Sequence, residues 1–168
     1  MRARYTAQAI ANFFLWQEQI TQMKLHKLLY YAAGWHLGFT REPLFDEDIE
    51  AWQYGPVVPS IYLEFRSFGA RPIDEVACEL VPGQDARFRV RVPRVEPSDE
   101  EIQRFLGRVW KVYGSRTAAQ LSGMTHAAGG PWAVTRAKHQ GATNAVIPKE
   151  TMRLHFEERI KARHMVTT

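Results

Sequence analysis

One cysteine, Cys78, is all the thiol chemistry that this 168-residue chain contains. No intramolecular disulfide can form and no cysteine-rich metal cage can be built, which fits a reducing, cytoplasmic setting. No apolar run approaches the ~20 residues needed to cross a bilayer. The opening stretch MRARYTAQAIANFFLWQEQ sets two arginines before an apolar patch. Gln8, Asn12, Gln17 and Glu18 interrupt that patch and no small-residue cleavage site follows, so no signal peptide is read. The glycine-rich phosphate loops GxGxxG and GxxxxGK followed by Ser or Thr are both missing, which leaves nucleotide chemistry without support. No two of the six histidines have the i, i+4 spacing around a glutamate that zinc hydrolases use. The acidic cluster Asp46, Glu47, Asp48 and Glu50 lacks the glycine and terminal glutamate of a calcium loop. No metal or cofactor is expected. No repeat, low-complexity tract or interdomain linker divides the chain, so residues 1–168 read as one domain.

What is present is ordinary for a globular protein. Hydrophobic residues make up 45% and charged residues 24%, enough to exclude disorder away from the termini. A chain of this length buries roughly 70% of its unfolded surface. The net charge of +4, with a pI near 9.4, suits acidic partners or nucleic acid and requires neither.

The periodicity predicts helices over 7–18 with Thr6 as cap, 22–37 with Thr21 as cap and Gly38 as terminator, and 59–68 opened by Pro59. Further helices are predicted from a Ser98–Glu101 capping box to Gly114, over 117–125, from Pro131 to Ala137, and after Pro148. The second helix is apolar or small nearly all round in its last two turns, as a central core helix would be. Strands are expected over 48–54, where Gly55 and Pro56 would stop the chain, and over 76–81 and 87–92 around the loop VPGQDA. The fold class is α+β and predominantly α-helical: about six helices in a single compact domain, with a small antiparallel sheet.

Three constellations invite chemistry. Ser122 and His126 sit four apart, as a nucleophile and base on one helix face would. No strand, elbow turn and helix surround the serine and no third group orients the imidazole, so residues that close a helix end are the better reading. Arg87, Arg89, Arg91 and Arg94 form a candidate basic patch that could meet phosphates, or an edge strand whose charges oppose aggregation. Cys78, in VACEL, reads as a small buried hydrophobe. Trp52 and Tyr54 are different: they precede a Gly55–Pro56 corner, where a stiff backbone holds rings at a surface with little entropy left to lose on binding.

Three blocks, MKLHKLLYYAAGWHL at 23–37, PLFDEDIEAWQYGPVVPSIYLEF at 43–65 and LSGMTHAAGGPW at 121–132, together resemble the Panacea domain. This antitoxin family includes SocA-like proteolytic adaptors and phage-associated GepA-like proteins. The resemblance implies a non-enzymatic antitoxin that neutralises a cognate toxin by direct binding, with delivery to an ATP-dependent protease in some SocA-like members. It also implies that Trp52, Tyr54, Gly55, Pro56, Val57, Val58 and Tyr62 form a preorganised hub beside a helix bearing Lys24, Lys27 and Tyr30, with Thr125, His126, Pro131 and Trp132 supplied by the third block. His26 stands where glutamine is commoner in such proteins, and Ala127 and Ala128 where polar or acidic residues are frequent. The hairpin region 71–97 is the least family-like part, so partner-specific contacts are expected there. Many relatives carry an N-terminal DNA-binding region, whereas this chain begins with the domain, and autoregulation through such a module is not expected. The rival readings are a basic nucleic-acid-binding module and, behind it, a Ser-His hydrolase. Trp52, Tyr62, Trp110 and Trp132 are expected to be mostly buried, and Lys24, Lys27 and the arginines exposed.

Overall fold

The computed structural model describes residues 3–83 and 87–166, the last three of these by backbone alone. Its elements are α1 (Ala7–Leu15), α2 (Gln22–Thr40), β1 (Glu50–Trp52), β2 (Gly55–Val57), α3 (Pro59–Phe65) with a 3-10 turn (Arg66–Phe68), β3 (Glu79–Pro82), β4 (Phe88–Arg91), α4 (Glu100–Tyr113), α5 (Ala118–Thr125), α6 (Pro131–Lys138) and α7 (Lys149–Val166). The fold is α+β and mainly helical as expected, with seven α-helices among the described residues, one for each helical segment predicted above. Two separate antiparallel hairpins, β1–β2 and β3–β4, replace the single small sheet. The centre of the loop expected between β3 and β4, residues 84–86, lies outside the described residues.

Helix α2 is the axis of the core, packed by α1, α4, α5, α7 and β2. Its N-terminus is set by Thr21, whose hydroxyl accepts from Lys24 N–H. It does not stop at Gly38. It runs on to Thr40 and closes at Arg41 in the left-handed conformation (φ 63°), with the Arg41 N–H donating to Leu37 O. Gly34 and Gly38 have a packing role instead: they let α7 approach. A Cβ at Gly34 would lie 2.0 Å from the Phe156 ring, and one at Gly38 would lie 2.9 Å from Phe156 Cβ. Phe156 fills that gap and meets Tyr30, Tyr31 and Trp35 edge-to-face at 5.9, 6.4 and 4.9 Å. Tyr31 stacks on Tyr113 of α4 at 4.2 Å, and the Tyr113 hydroxyl accepts from Trp35 Nε1 at 2.8 Å.

Other starts and stops follow side-chain chemistry. Asp99, not Ser98, caps α4: its carboxylate accepts from Ile102 N–H, from the Tyr5 hydroxyl at 2.7 Å and from Arg4 at 3.0 Å. At α5 the capping box is complete between Thr117 and Gln120. Asn12 is fully buried yet satisfied, because its amide donates to Ala77 O and Pro93 O and accepts from Ala77 N–H. That residue ties the base of the β3–β4 hairpin to α1.

Gly34→Ala should destabilise the protein by about 2–4 kcal/mol in urea unfolding, because overpacking against Phe156 outweighs the roughly 1 kcal/mol gained in helix propensity. For Gly38→Ala the two effects nearly cancel, and a change within about 1 kcal/mol is expected.

Candidate functional site

The sequence AWQYGPVV folds back on itself. Ala51 pairs with Pro56 and Trp52 with Gly55, so the Gly-Pro dipeptide expected to end a strand instead begins the returning one. Neither Gln53 nor Tyr54 has positive φ; Gly55, at +110°, takes the reversal. Proline is tolerated opposite Ala51 because the Ala51 N–H turns outward to Ala145 O at 2.8 Å, so this position of the ladder needs no N–H from its partner.

Outward-facing backbone groups of the hairpin are held by side chains from three helices. From α6, Arg136 Nη1 donates to Ala51 O at 2.9 Å and Trp132 Nε1 to Trp52 O at 2.8 Å. From α5, the Ser122 hydroxyl donates to Tyr54 O at 2.8 Å. From α2, Lys27 Nζ donates to Pro56 O at 3.2 Å, and His26 Nδ1 accepts from Val58 N–H at 3.2 Å. The blocks at 23–37, 43–65 and 121–132 thus meet at one corner, and their side chains do for this two-stranded hairpin what neighbouring strands do in a wide sheet.

Lys27 is the first correction. It was expected on a wet face and is 1% exposed, with no carboxylate among the described residues paired to it. Burial pushes its ammonium down to about 8. The lysine stem runs under Gly55, where a Cβ would come within 2.5 Å of Lys27 Cε and 3.0 Å of Thr125 Oγ1, so Gly55 is required by space as well as by φ. His26, 3% exposed, is held down to about 3 by burial and then by the Lys27 charge, and is neutral at pH 7. Its Nε2 is buried without a partner among the described residues, as is Gln22 Oε1. These residues line a pocket of about 450 Å³ whose walls include Met23, Trp52, Tyr54, Val57 and Tyr62.

Lys24 does not join Lys27. It is half-buried on the other side of α2, donating to Gly114 O at 2.6 Å, near Glu18 at 3.6 Å and over the Trp110 ring. Tyr30 is in the core against Phe156. Tyr54 is 65% exposed and Tyr62 is exposed rather than buried; Tyr62 packs edge-to-face on Trp52 at 4.9 Å. Trp52, Trp110 and Trp132 are only partly buried. Thr125 is buried and caps locally, donating to Ser122 O. His126 stacks on Trp132 at 3.9 Å, just behind Pro131 at the start of α6, and burial followed by the Lys27 and Arg136 charges lowers its pKa. Ser122 directs its hydroxyl to Tyr54 O, so Ser122 and His126 are not assembled as a nucleophile and base.

Cys78 is exposed, not buried. Arg87, Arg89, Arg91 and Arg94 are exposed as expected, with Arg91 paired to Glu79. The other face of that hairpin is exposed too: Leu80, Phe88 and Val90 are directed away from the core, and Phe88 is 71% accessible. Arg136 and Ser122 are the clamp residues that sequence reading missed as such. Arg136 had one available signal, a cation one turn after Trp132, over whose ring it lies at 5.6 Å.

A family model described as Antitoxin SocA-like, Panacea domain, matches residues 25–133. The chain is 34% identical over 133 residues to the Antitoxin SocA of Caulobacter vibrioides (strain NA1000 / CB15N), an alignment covering 76% of this chain and 69% of that protein. No solved structure gives a significant match. The matched span holds every clamp residue from His26 to Trp132 and ends before Arg136.

Two stability measurements check this geometry. Below pH 8 Lys27 is charged in folded and unfolded chains alike, and a fall from 10.5 to about 8 weighs on the fold by about 3 kcal/mol. As pH rises through 8 the folded state sheds its proton while the unfolded chain keeps it to 10.5, so the penalty is relieved. Urea stability should therefore rise by about 2 kcal/mol between pH 7.5 and 9.5, below the range where the burial-raised Tyr30 and Tyr31 reverse the trend. Lys27→Met should abolish that rise and be more stable at pH 7 by about 1–2 kcal/mol, even with the Pro56 carbonyl left unpaired. A flat profile in the native protein would show that the ammonium is solvated. Separately, Gly55→Ala should cost about 2–4 kcal/mol in the same assay, from positive φ and the clash with the Lys27 stem.

Proposed function

This chain belongs to the Antitoxin SocA-like, Panacea domain family, and on that footing we propose that it is an antitoxin that neutralises a toxin by binding it directly. The observation that carries the reading is the clamped corner: three helices immobilise a short hairpin and leave Trp52, Tyr54 and Tyr62 at the surface around a pocket. Aromatic rings held by a fixed backbone lose little entropy when a partner covers them, and such rings dominate the binding energy of protein interfaces. The whole chain acts as one unit in this reading, since the clamp draws on residues from 26 to 136.

The exposed apolar face of β3–β4 supports a second, partner-specific contact. Delivery of the bound toxin to an ATP-dependent protease is a finer form of the same proposal, supported by the family likeness alone. A basic nucleic-acid-binding role has the exposed Arg87, Arg89 and Arg94 in its favour. It predicts affinity that falls steeply with salt, and no binding of duplex or single-stranded DNA or RNA at ~50 mM salt would remove it.

Co-expression with the gene adjacent to its own tests the main reading. The neighbour should arrest growth, and this protein should restore growth and co-purify with it. A non-toxic neighbour, or a toxic one neither rescued nor bound, would sink the proposal. If the hairpin adds contacts, Phe88→Ser with Val90→Thr should leave stability within about 0.5 kcal/mol, because these side chains touch no core, while weakening rescue. Protease delivery predicts a shorter toxin half-life when this protein is present.

A further inference from the structure

The pocket between α2, the β1–β2 turn and α3 has a floor chemically unlike its walls. The walls are mainly aromatic and apolar, with Gln53 and Thr143 among them; the buried floor is Gln22, His26 and Lys27. Lys27 Nζ carries three N–H groups and makes one hydrogen bond, to Pro56 O. His26 Nδ1 accepts the Val58 N–H, which fixes the ring proton on Nε2, and that N–H is buried with no acceptor among the described residues. Arg66 stands at the rim, and no Asp or Glu among the described residues lines the pocket. Donors and positive charge therefore line one space with no carboxylate among the described residues to meet them; its side-chain acceptors are the neutral ones of Gln22, Gln53, Thr143, Tyr54 and Tyr62, and the Gln22 amide can turn to present its NH2 instead.

We propose that this pocket binds a carboxylate carried on an apolar stem, supplied by an acidic side chain of the bound toxin. Its two oxygens accept from Lys27 Nζ and His26 Nε2, and the residues flanking it lie against Trp52, Tyr54 and Tyr62. A single ammonium beside a neutral imidazole matches a monoanion rather than a phosphate dianion. The source of the carboxylate rests on the antitoxin reading; the chemistry of the pocket does not. An unpaired buried ammonium gains its missing counter-charge on binding, which gives the protein a reason to keep a residue that costs stability when unbound.

The test uses the intact chain with no toxin present, so its failure is separate from failure of the co-expression rescue. With 13C-labelled lysine, NMR follows the Lys27 titration while hexanoate is added, with hexanamide as the neutral control. Hexanoate should raise the Lys27 midpoint by at least about one pH unit. It should bind with millimolar affinity and at least about tenfold more tightly than hexanamide. Lys27→Met should erase the difference between the two. Tyr62→Ala, at an exposed ring that leaves the core intact, should weaken hexanoate about threefold or more. The peptide acetyl-Leu-Glu-Leu-amide should compete with hexanoate, and its Gln counterpart should not. An unmoved Lys27 midpoint at saturating hexanoate, or equal binding of hexanamide, overturns the site. Hexanoate binding without competition by the Glu peptide overturns the toxin as source and assigns the pocket to a free small carboxylate. Full rescue of growth by Lys27→Met overturns it likewise.

Discussion

An ammonium group with one carbonyl for company sits beneath the corner on which this fold turns. The position of Lys27 dictates its surroundings. Its stem occupies the space where any side chain at residue 55 would lie, so that residue is glycine. Burial, and after it the Lys27 charge, keeps His26 neutral, and only a neutral His26 can accept the Val58 N–H at the start of α3. Replacing such a charge by an apolar residue of similar volume is commonly neutral or stabilising. Stability alone therefore does not account for a lysine here.

The same corner shows how a hairpin too short to be stable alone is made rigid. Two strands of three residues are marginal in water. Here Ala51, Trp52, Tyr54 and Pro56 each have their carbonyl taken by a side chain from another element, and Ala51 also bonds the 145–147 segment on its outer edge. Each such bond contributes only about 1 kcal/mol net, but the donors are rooted in α2, α5 and α6, of which α2 and α5 also pack on each other and α6 on α7. The corner cannot shift without breaking several of them together. Binding rings mounted on it costs correspondingly little order.

Much of the helical frame was legible because its signals are local. Thr6, Thr21 and Thr117 announce helix starts by accepting from N–H groups three residues on, and Pro59 and Pro131 do so by lacking an N–H. The errors arise where a long-range partner decides. Gly38 reads as a terminator because nothing local reveals Phe156, 118 positions later (156 − 38), which needs the space. Ser98 lost the cap of α4 to Asp99, whose carboxylate also serves Tyr5 and Arg4 across the fold. Cys78 has apolar neighbours in sequence, yet the segment leaves the core just after Ala77. Lys27 was misjudged against evidence already in the sequence: with Leu25, Leu28, Tyr30 and Tyr31 around it, α2 has no wet face at that turn. Lys24, one turn nearer the helix start, does reach the surface and finds Glu18. At the site, the cluster of family residues was readable, but its internal division was not: Lys27, Thr125 and Trp132 build the corner, while Trp52, Tyr54 and Tyr62 present it.

That division extends to the β3–β4 hairpin. Its base is fixed by the three hydrogen bonds of Asn12, but above the base its strands touch no core, and apolar side chains lie exposed on one face and arginines on the other. Substitutions in the hub propagate, because each residue there positions another: Gly55 makes room for Lys27, Lys27 charges the pocket, Trp132 holds Trp52. Substitutions in the hairpin end where they are made. The two hairpins are therefore held in different ways: the first is anchored along its length through α2, α5 and α6, and the second is tied at its base alone, by Asn12 and by Gln8 and Glu64 at Cys78.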